Sequence, residues 1–295
     1  MQKNCPKIYP QNYIERLVHG IFLLLGLVTV GCVLLVTVYL VIAGIPAIQE
    51  IGLIPFLFGK TWAPTAAEPS YGILPFILTS IYGTAGAVAL GVPIGFLTAV
   101  CLAKTAPKGV RQVVESAVSL LAGIPSVVYG LVGMLVLVPA IRQMFHVPDG
   151  AGLLAAVIVL AIMILPSIIK VSITALDAVP KEYEDASLAL GATPIETYFR
   201  VSVPAARSGI AAAVVLGIGR AVGEAMAVMM VSGNVANMPG LFQSVRFLTT
   251  AVASEMSYAG GLQRQALFSI ALVLFLFIML VNATMNFFLK GGGKK

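Results

Sequence analysis

The stretch GIGRAVGEAMAV, residues 217–228, sets Arg220 and Glu224 among glycine, alanine and large apolar side chains. A guanidinium presents a planar fork of donors that matches carboxylate or phosphate oxygens. On a continuous helix a carboxylate four residues later shares its face, where it either bridges the cation or confronts what the cation attracts. Acid before base is the better order for helix stability, and here the base comes first. Two readings stay open, an ion pair that locks one helix and a polar route for an anion.

A second stretch, DAVPKEYEDASLALGATPIETYFRVSVPAA at 177–206, is the most charged part of the chain. Pro180 suits a helix start, and Glu182, Glu184 and Asp185 then fall in the first turns, where the helix dipole favours acids. Ala186, Leu188, Ala189 and Leu190 give an apolar side, Gly191 suits the end of that helix, and Thr193 caps a second one opening at Pro194. The punctuation predicts a short amphipathic helix pair, and an apolar helix side with no lipid over it suits a partner's groove. A solvated loop is the alternative.

These residues need elements to hold them. Of 295 residues, 59% are hydrophobic and 10% charged, against about 25% charged in an average soluble domain. The chain is therefore an integral membrane protein. Uncharged runs at 17–49, 69–103, 116–141, 150–169 and 265–289 each reach the roughly 20 residues of a membrane-crossing helix. A sixth run, 206–234, qualifies if Arg220 and Glu224 are tolerated, which makes six spans. The run after Arg16 exceeds a signal peptide's apolar segment of roughly 7–15 residues and is expected to remain as the first span.

Lys and Arg cluster at alternate connections: Lys3, Lys7 and Arg16, then Lys104, Lys108 and Arg111, then Lys170, Lys181, Arg200 and Arg207, then Lys290, Lys294 and Lys295. The positive-inside rule then places both termini in the cytoplasm. The expected organisation is a cytoplasmic segment 1–16, a first span 17–45, an outward loop 46–72, a core 73–290 containing the cytoplasmic loop 177–204, and a tail 291–295. Gly91, Gly95, Gly123, Gly130 and Gly133 let spans two and three pack closely. Gly219 and Gly223 have the small-xxx-small spacing that admits another helix beside Arg220. The outward segment 235–263 mixes polar and apolar residues at helical spacing, and whether it re-enters the membrane is left open.

Counted from Pro204, Arg220 lies about 24 Å along its helix, near the middle of a hydrocarbon core about 30 Å thick. A charge facing lipid there costs at least about 2.5–3.5 kcal/mol, so both groups are expected to face protein or water. Cys5, Cys32 and Cys101 show no paired spacing, and the basic residues flank the membrane rather than forming a nucleic-acid patch. Neither HExxH nor GxSxG occurs, and His19 and His146 are far apart, which speaks against a membrane-embedded enzyme. GxxxxGK[ST] is missing too, so ATP hydrolysis, if used, belongs to another chain. A secondary transporter would show repeat symmetry with broken helices in both halves, and only one ionised span is visible.

Asp185-Ala186-Ser187, with Gly191 after three residues and Val201-x-Val203-Pro204 after nine more, resembles the EAA motif of permease subunits of ATP-binding-cassette importers. Asp replaces the family's Glu, Ser its second Ala, and Val both aliphatic residues. The resemblance implies an all-α, six-span type I importer permease whose cytoplasmic coupling-helix loop docks on an ATPase subunit through Asp185, Ala186, Ser187, Gly191 and Pro204, with Glu184 sharing the acid's role. Tyr71-Gly-Ile-Leu-Pro-Phe-Ile, LLAGIPSVVYGLVG at 120–133, GRAVGEAMAV at 219–228 and RFLTTAVASEM at 246–256 are similar to the phosphate-specific branch, its C-type subunit. That implies Arg220 and Glu224 on the substrate path in a bacterial inner membrane. It also implies a second, A-type permease chain, two ATP-binding subunits that use ATP and Mg, and a periplasmic or lipid-anchored phosphate-binding protein. This chain itself is expected to bind no cofactor, metal or nucleic acid. The sister A-type subunit and sulfate or molybdate permeases are the alternatives.

Overall fold

The computed structural model describes residues 13–291. Most of the segment 1–16, with Lys3, Cys5 and Lys7, and nearly all of the tail 291–295 lie outside the described residues. In chain order come α1 (Tyr13–Ile51), α2 (Leu53–Phe58), the hairpin of β1 (Trp62–Ala63) and β2 (Ser70–Tyr71), and α3 (Leu74–Val100), which ends in a π-helical turn, Cys101–Thr105. Next are α4 (Lys108–Gly123) and α5 (Ser126–Val132), the latter running through a π-helical turn at Gly133–Leu137 into α6 (Val138–Phe145), then α7 (Leu153–Asp177). The loop carries α8 (Lys181–Ala189), α9 (Pro194–Thr197), a third π-helical turn (Tyr198–Ser202) and α10 (Val203–Ala205). α11 (Arg207–Gly223), α12 (Met226–Val231), α13 (Leu248–Glu255) and α14 (Gly261–Gly291) complete the chain.

Among the described residues five runs are long and apolar enough to cross a bilayer: Glu15–Ile51, Leu74–Thr105, Ser126–Phe145, Leu153–Asp177 and Gly261–Thr284. The pair Pro194–Ala205 and Arg207–Gly223, bent by 73°, makes a sixth if taken as one span. α7 is the hub. Leu160, Met163, Ile164, Ile168 and Leu176 are fully buried because α3, α11, α4 and α12 surround it. A helix enclosed on several sides needs no polar stripe, which is why this run reads as unbroken hydrophobicity.

The close approach that the span-two glycines suggest is present. A Cβ on Gly91 would sit 2.7 Å from the Ile164 side chain and 3.1 Å from the Ala161 carbonyl oxygen, and one on Gly95 would sit 2.9 Å from Ile168. Gly91→Ala is expected to cost about 1–3 kcal/mol through overpacking. Thermal unfolding in detergent measures it, and an unchanged midpoint would show that α3 and α7 are free to part. Gly123, by contrast, faces open space.

Several boundaries differ from the sequence reading. The first span runs past residue 45 to Ile51, and the loop beyond it contains α2 and the hairpin. The run 116–141 is not one helix. It breaks at Ile124–Pro125, because Pro125 lacks an N–H and its ring drives the preceding Ile124 out of the helical region into extended backbone (φ −69°, ψ 128°), so 116–123 belong to α4. Span four extends beyond 169 to Asp177, past the exposed Lys170. The run 206–234 breaks twice, at Ala206 and at Glu224–Ala225. Within 235–263, α13 is far too short to cross a membrane and is buried against α3, α12 and α14.

α1 meets α14 near its far end, where Ser269 Oγ donates to the Gly44 carbonyl (2.6 Å) and Tyr39 and Phe268 stack edge-on. Nearly all of its apolar side chains from Leu17 to Ile42 remain exposed, a surface suited to hydrocarbon.

Candidate functional site

Arg220 lies in the last turn of α11, where a cation offsets the negative end of the helix dipole. The bend at Ala206 resets its depth. Counted from Arg207 it lies about 20 Å along α11, still inside a core of about 30 Å. The helix then stops. Glu224 takes extended backbone (φ −75°, ψ 126°), so the two charged side chains do not share a face of one helix, and they form no ion pair. The four-residue spacing is therefore not the i,i+4 arrangement that the sequence suggested.

Glu224 instead closes the break. Its Oε1 accepts from the Ala227 backbone N–H at 3.0 Å, capping α12, while its carbonyl accepts from Thr249 Oγ1 of α13 at 2.8 Å. Beside it is the other break: the Tyr129 hydroxyl donates to the Leu121 carbonyl (2.7 Å), a second donor to an acceptor that also takes the Ile124 N–H at the end of α4. Tyr129 also lies within electrostatic reach of Arg220. Two interrupted helices thus meet, since α5 packs on α12. Broken helices at membrane depth survive where they are enclosed by protein or line a water-filled cavity.

Arg220 and Glu224 are both half-buried, and among the described residues the Arg220 side chain makes no hydrogen bond or ion pair. Gly219 and Gly223 are exposed with nothing within 4 Å of an added Cβ, so the surface beside Arg220 is open in the single chain. A half-buried guanidinium with donors to spare can take oxyanion oxygens, and an adjacent open face allows another helix to close over it.

The loop folds as its punctuation predicts. Gly191 adopts a left-handed conformation (φ 86°), its N–H bonds the Leu188 carbonyl at 2.9 Å, and Ala192 bonds Ser187 at 3.3 Å, a Schellman ending of α8. Thr193 and Glu196 form a reciprocal capping box that opens α9. Asp185, Ala186, Gly191 and Pro204 are exposed, as are Tyr183, Leu188, Leu190, Ile195 and Phe199. Ser187 is half-buried and bonds Thr197 across the pair at 2.9 Å.

Glu184 faces inward rather than outward. Its Oε1 takes Lys104 Nζ at 2.5 Å and Ser202 Oγ at 2.7 Å. Burial pushes its carboxyl up, but Lys104 and Ser202 outweigh that and hold it below the usual range. A depressed folded-state pKa means that the tie is fully present at neutral pH and is lost only as the medium acidifies through that lowered value.

At the opposite end of the bundle the structure assembles a cluster that sequence reasoning missed. The buried Glu255 carboxylate pairs with Arg246 and accepts from Trp62 Nε1 (3.2 and 3.3 Å) and Gln263 Nε2 (2.9 Å). Arg246 also donates to the Asn234 carbonyl from Nε (3.0 Å) and Nη2 (2.8 Å). A cleft of about 500 Å³ opens here, lined by Pro64, Arg246, Glu255 and Tyr258. The available signal was an opposite-charge pair in an otherwise sparsely charged outward segment. Among the described residues no three His, Cys, Asp or Glu side chains are placed to hold a metal ion.

A membrane bundle of helices around a central span, with a capped helix pair at one end, defines the type I permease fold of ATP-binding-cassette importers. Solved structures with this fold include the MetNI methionine transporter, at a TM-score of 0.60 and 20% identity over 75% of this chain and 98% of that one. A bacterial alginate transporter in complex with its periplasmic protein gives 0.62 and 14% over 97% and 98%. The chain belongs to the family of binding-protein-dependent transport system inner membrane components, whose model matches residues 91–291. Its relatives include the probable ABC transporter permease YqgH of Bacillus subtilis, 39% identical over 87% of this chain and 86% of that protein. The phosphate transport system permease PstC of Haemophilus influenzae is 34% identical over 93% of both, and that of Mesorhizobium japonicum 34% over 79% and 77%. The chain is a transporter subunit of a multi-pass membrane family, not an enzyme. The membership also implies an ATPase and a substrate-binding protein as partners.

Proposed function

We propose that this chain is the C-type permease subunit of an importer for inorganic phosphate, and that Arg220 meets the anion on its way through. The single observation that carries the path is the half-buried Arg220 guanidinium, without a bonded partner among the described residues, beside two helix breaks and an open glycine face. Phosphate as cargo is supported by the relatives named for it. Phosphate near neutral pH carries between one and two negative charges, and a guanidinium matches its oxygens bidentately. Glu224, fixed as the cap of α12, limits residence by repulsion, since a path must also release what it binds.

The A-type sister chain faces Gly219 and Gly223 across the path, so that the anion route runs between the two chains. Two copies of a cytoplasmic ATP-binding subunit, which alone use ATP and Mg, dock on the exposed side of α8 and α9 around Asp185, Ala186, Ser187, Gly191 and Pro204. A periplasmic or lipid-anchored phosphate-binding protein docks at the opposite end, and both termini lie in the cytoplasm of a bacterial cell bounded by this inner membrane.

The test is uptake of labelled phosphate by the reconstituted complex, competed with sulfate and molybdate. Uptake that excess sulfate and molybdate leave unchanged is the expected result. Uptake of sulfate or molybdate in preference to phosphate would assign the permease to another oxyanion.

A further inference from the structure

α8 has no buried residue, so no apolar core attaches it to the bundle. Polar ties hold it: the Ser187–Thr197 hydroxyl pair and the inward-facing carboxylate of Glu184. That carboxylate reaches two other elements through a single oxygen. Lys104 belongs to the π-helical turn that ends α3, and Ser202 closes the π-helical turn that leads through α10 into α11. The side chains of Lys104 and Glu184 are 10% and 18% exposed, enough burial to keep water from competing freely for the bond. π-Helical turns interrupt regular helix geometry and occur frequently at functional sites. Here both serve the same carboxylate.

We infer that Lys104, Glu184 and Ser202 form a strut that turns a displacement of α8 into a joint displacement of α3 and α11. Lys104 and Glu184 are thus positioning residues for transport, acting at a distance from Arg220. α3 packs on the central α7 and on α11, and α11 carries Arg220, so the strut joins the exposed loop both to the hub of the bundle and to the helix that bears the guanidinium. The apolar face of α8 and α9 remains free for a partner, because the only acid pointing inward is the one that makes the strut. The inference rests on the importer reading, in which an ATPase moves α8.

The experiment uses the full complex in proteoliposomes and reads phosphate transported per ATP hydrolysed. Glu184→Gln and Lys104→Met are expected to leave assembly and ATP hydrolysis near wild type while lowering that ratio about tenfold, the scale of one charge-assisted hydrogen bond. The reciprocal exchange, Lys104→Glu with Glu184→Lys, is expected to recover a large part of the ratio. A merely structural tie would lower uptake and hydrolysis together, and an unchanged ratio in the single variants overturns the inference. So does failure of every single variant to assemble while the exchanged pair assembles with a low ratio. A wild-type complex that hydrolyses no ATP or moves no phosphate would instead remove the importer reading itself.

Discussion

Arg220→Gln is expected to leave the permease inserted and assembled and to cut phosphate uptake about a hundredfold, the loss of two charge-assisted hydrogen bonds at ~1.5 kcal/mol each. Glutamine keeps much of the length and some hydrogen bonding but removes the charge and the fork. Because the Arg220 side chain holds no partner among the described residues, its removal strands no buried group there, and stability changes little. Arg220→Lys is expected to fall between, since an ammonium keeps the charge without bidentate geometry. Labelled phosphate uptake normalised to assembled complex measures both variants against the wild type. Loss of assembly in step with loss of uptake would make Arg220 a packing residue.

Glu255→Ala is the second large effect, and it acts on the fold rather than on the path. Truncation leaves the half-buried Arg246 without its counter-charge, held by the Asn234 carbonyl and the face of Phe76, and removes the acceptor for Trp62 and Gln263. Breaking one partner of a buried pair costs about 3–5 kcal/mol. The thermal midpoint in detergent is then expected to drop by about 10 °C, at a few degrees per kcal/mol. Trp62→Phe removes one donor while Arg246 and Gln263 still satisfy the carboxylate, so it is expected to cost about 1 kcal/mol. Equal losses in the two variants would mean that the cluster is held by Trp62 packing against Tyr71 and Phe76 rather than by charge.

What was legible in the chain is what local chemistry dictates. Gly191, Thr193 and Pro194 announce where α8 stops and α9 starts, and the left-handed glycine and the capping box stand there. The small residues Gly91 and Gly95 announced close packing, and Ile164 and Ile168 fill the space. Interruptions inside apolar runs were harder to see. Hydropathy continues through Ile124–Pro125 and Glu224–Ala225, and the second break depends on Thr249, 25 residues away, reaching the Glu224 carbonyl. The bond from Trp62 to Glu255 crosses 193 residues, a separation at which no periodicity in the sequence carries information. The inward tie of Glu184 was hidden for a related reason: its spacing puts it on α8, but only Lys104 and Ser202 determine that it points inward.

The placement of Arg220 beside an aqueous anion route is tested most directly by chemistry at Gly223, which is exposed and has room for a side chain. In a complex whose native cysteines are replaced, Gly223→Cys is treated with a negatively charged, membrane-impermeant thiol reagent during ATP turnover, with and without phosphate. The account predicts that the introduced thiol reacts and that phosphate slows the reaction while leaving a thiol introduced on the lipid-facing side of α1 unaffected. A thiol that reacts only with lipid-soluble reagents, or at the same rate whether or not phosphate is present, would contradict it.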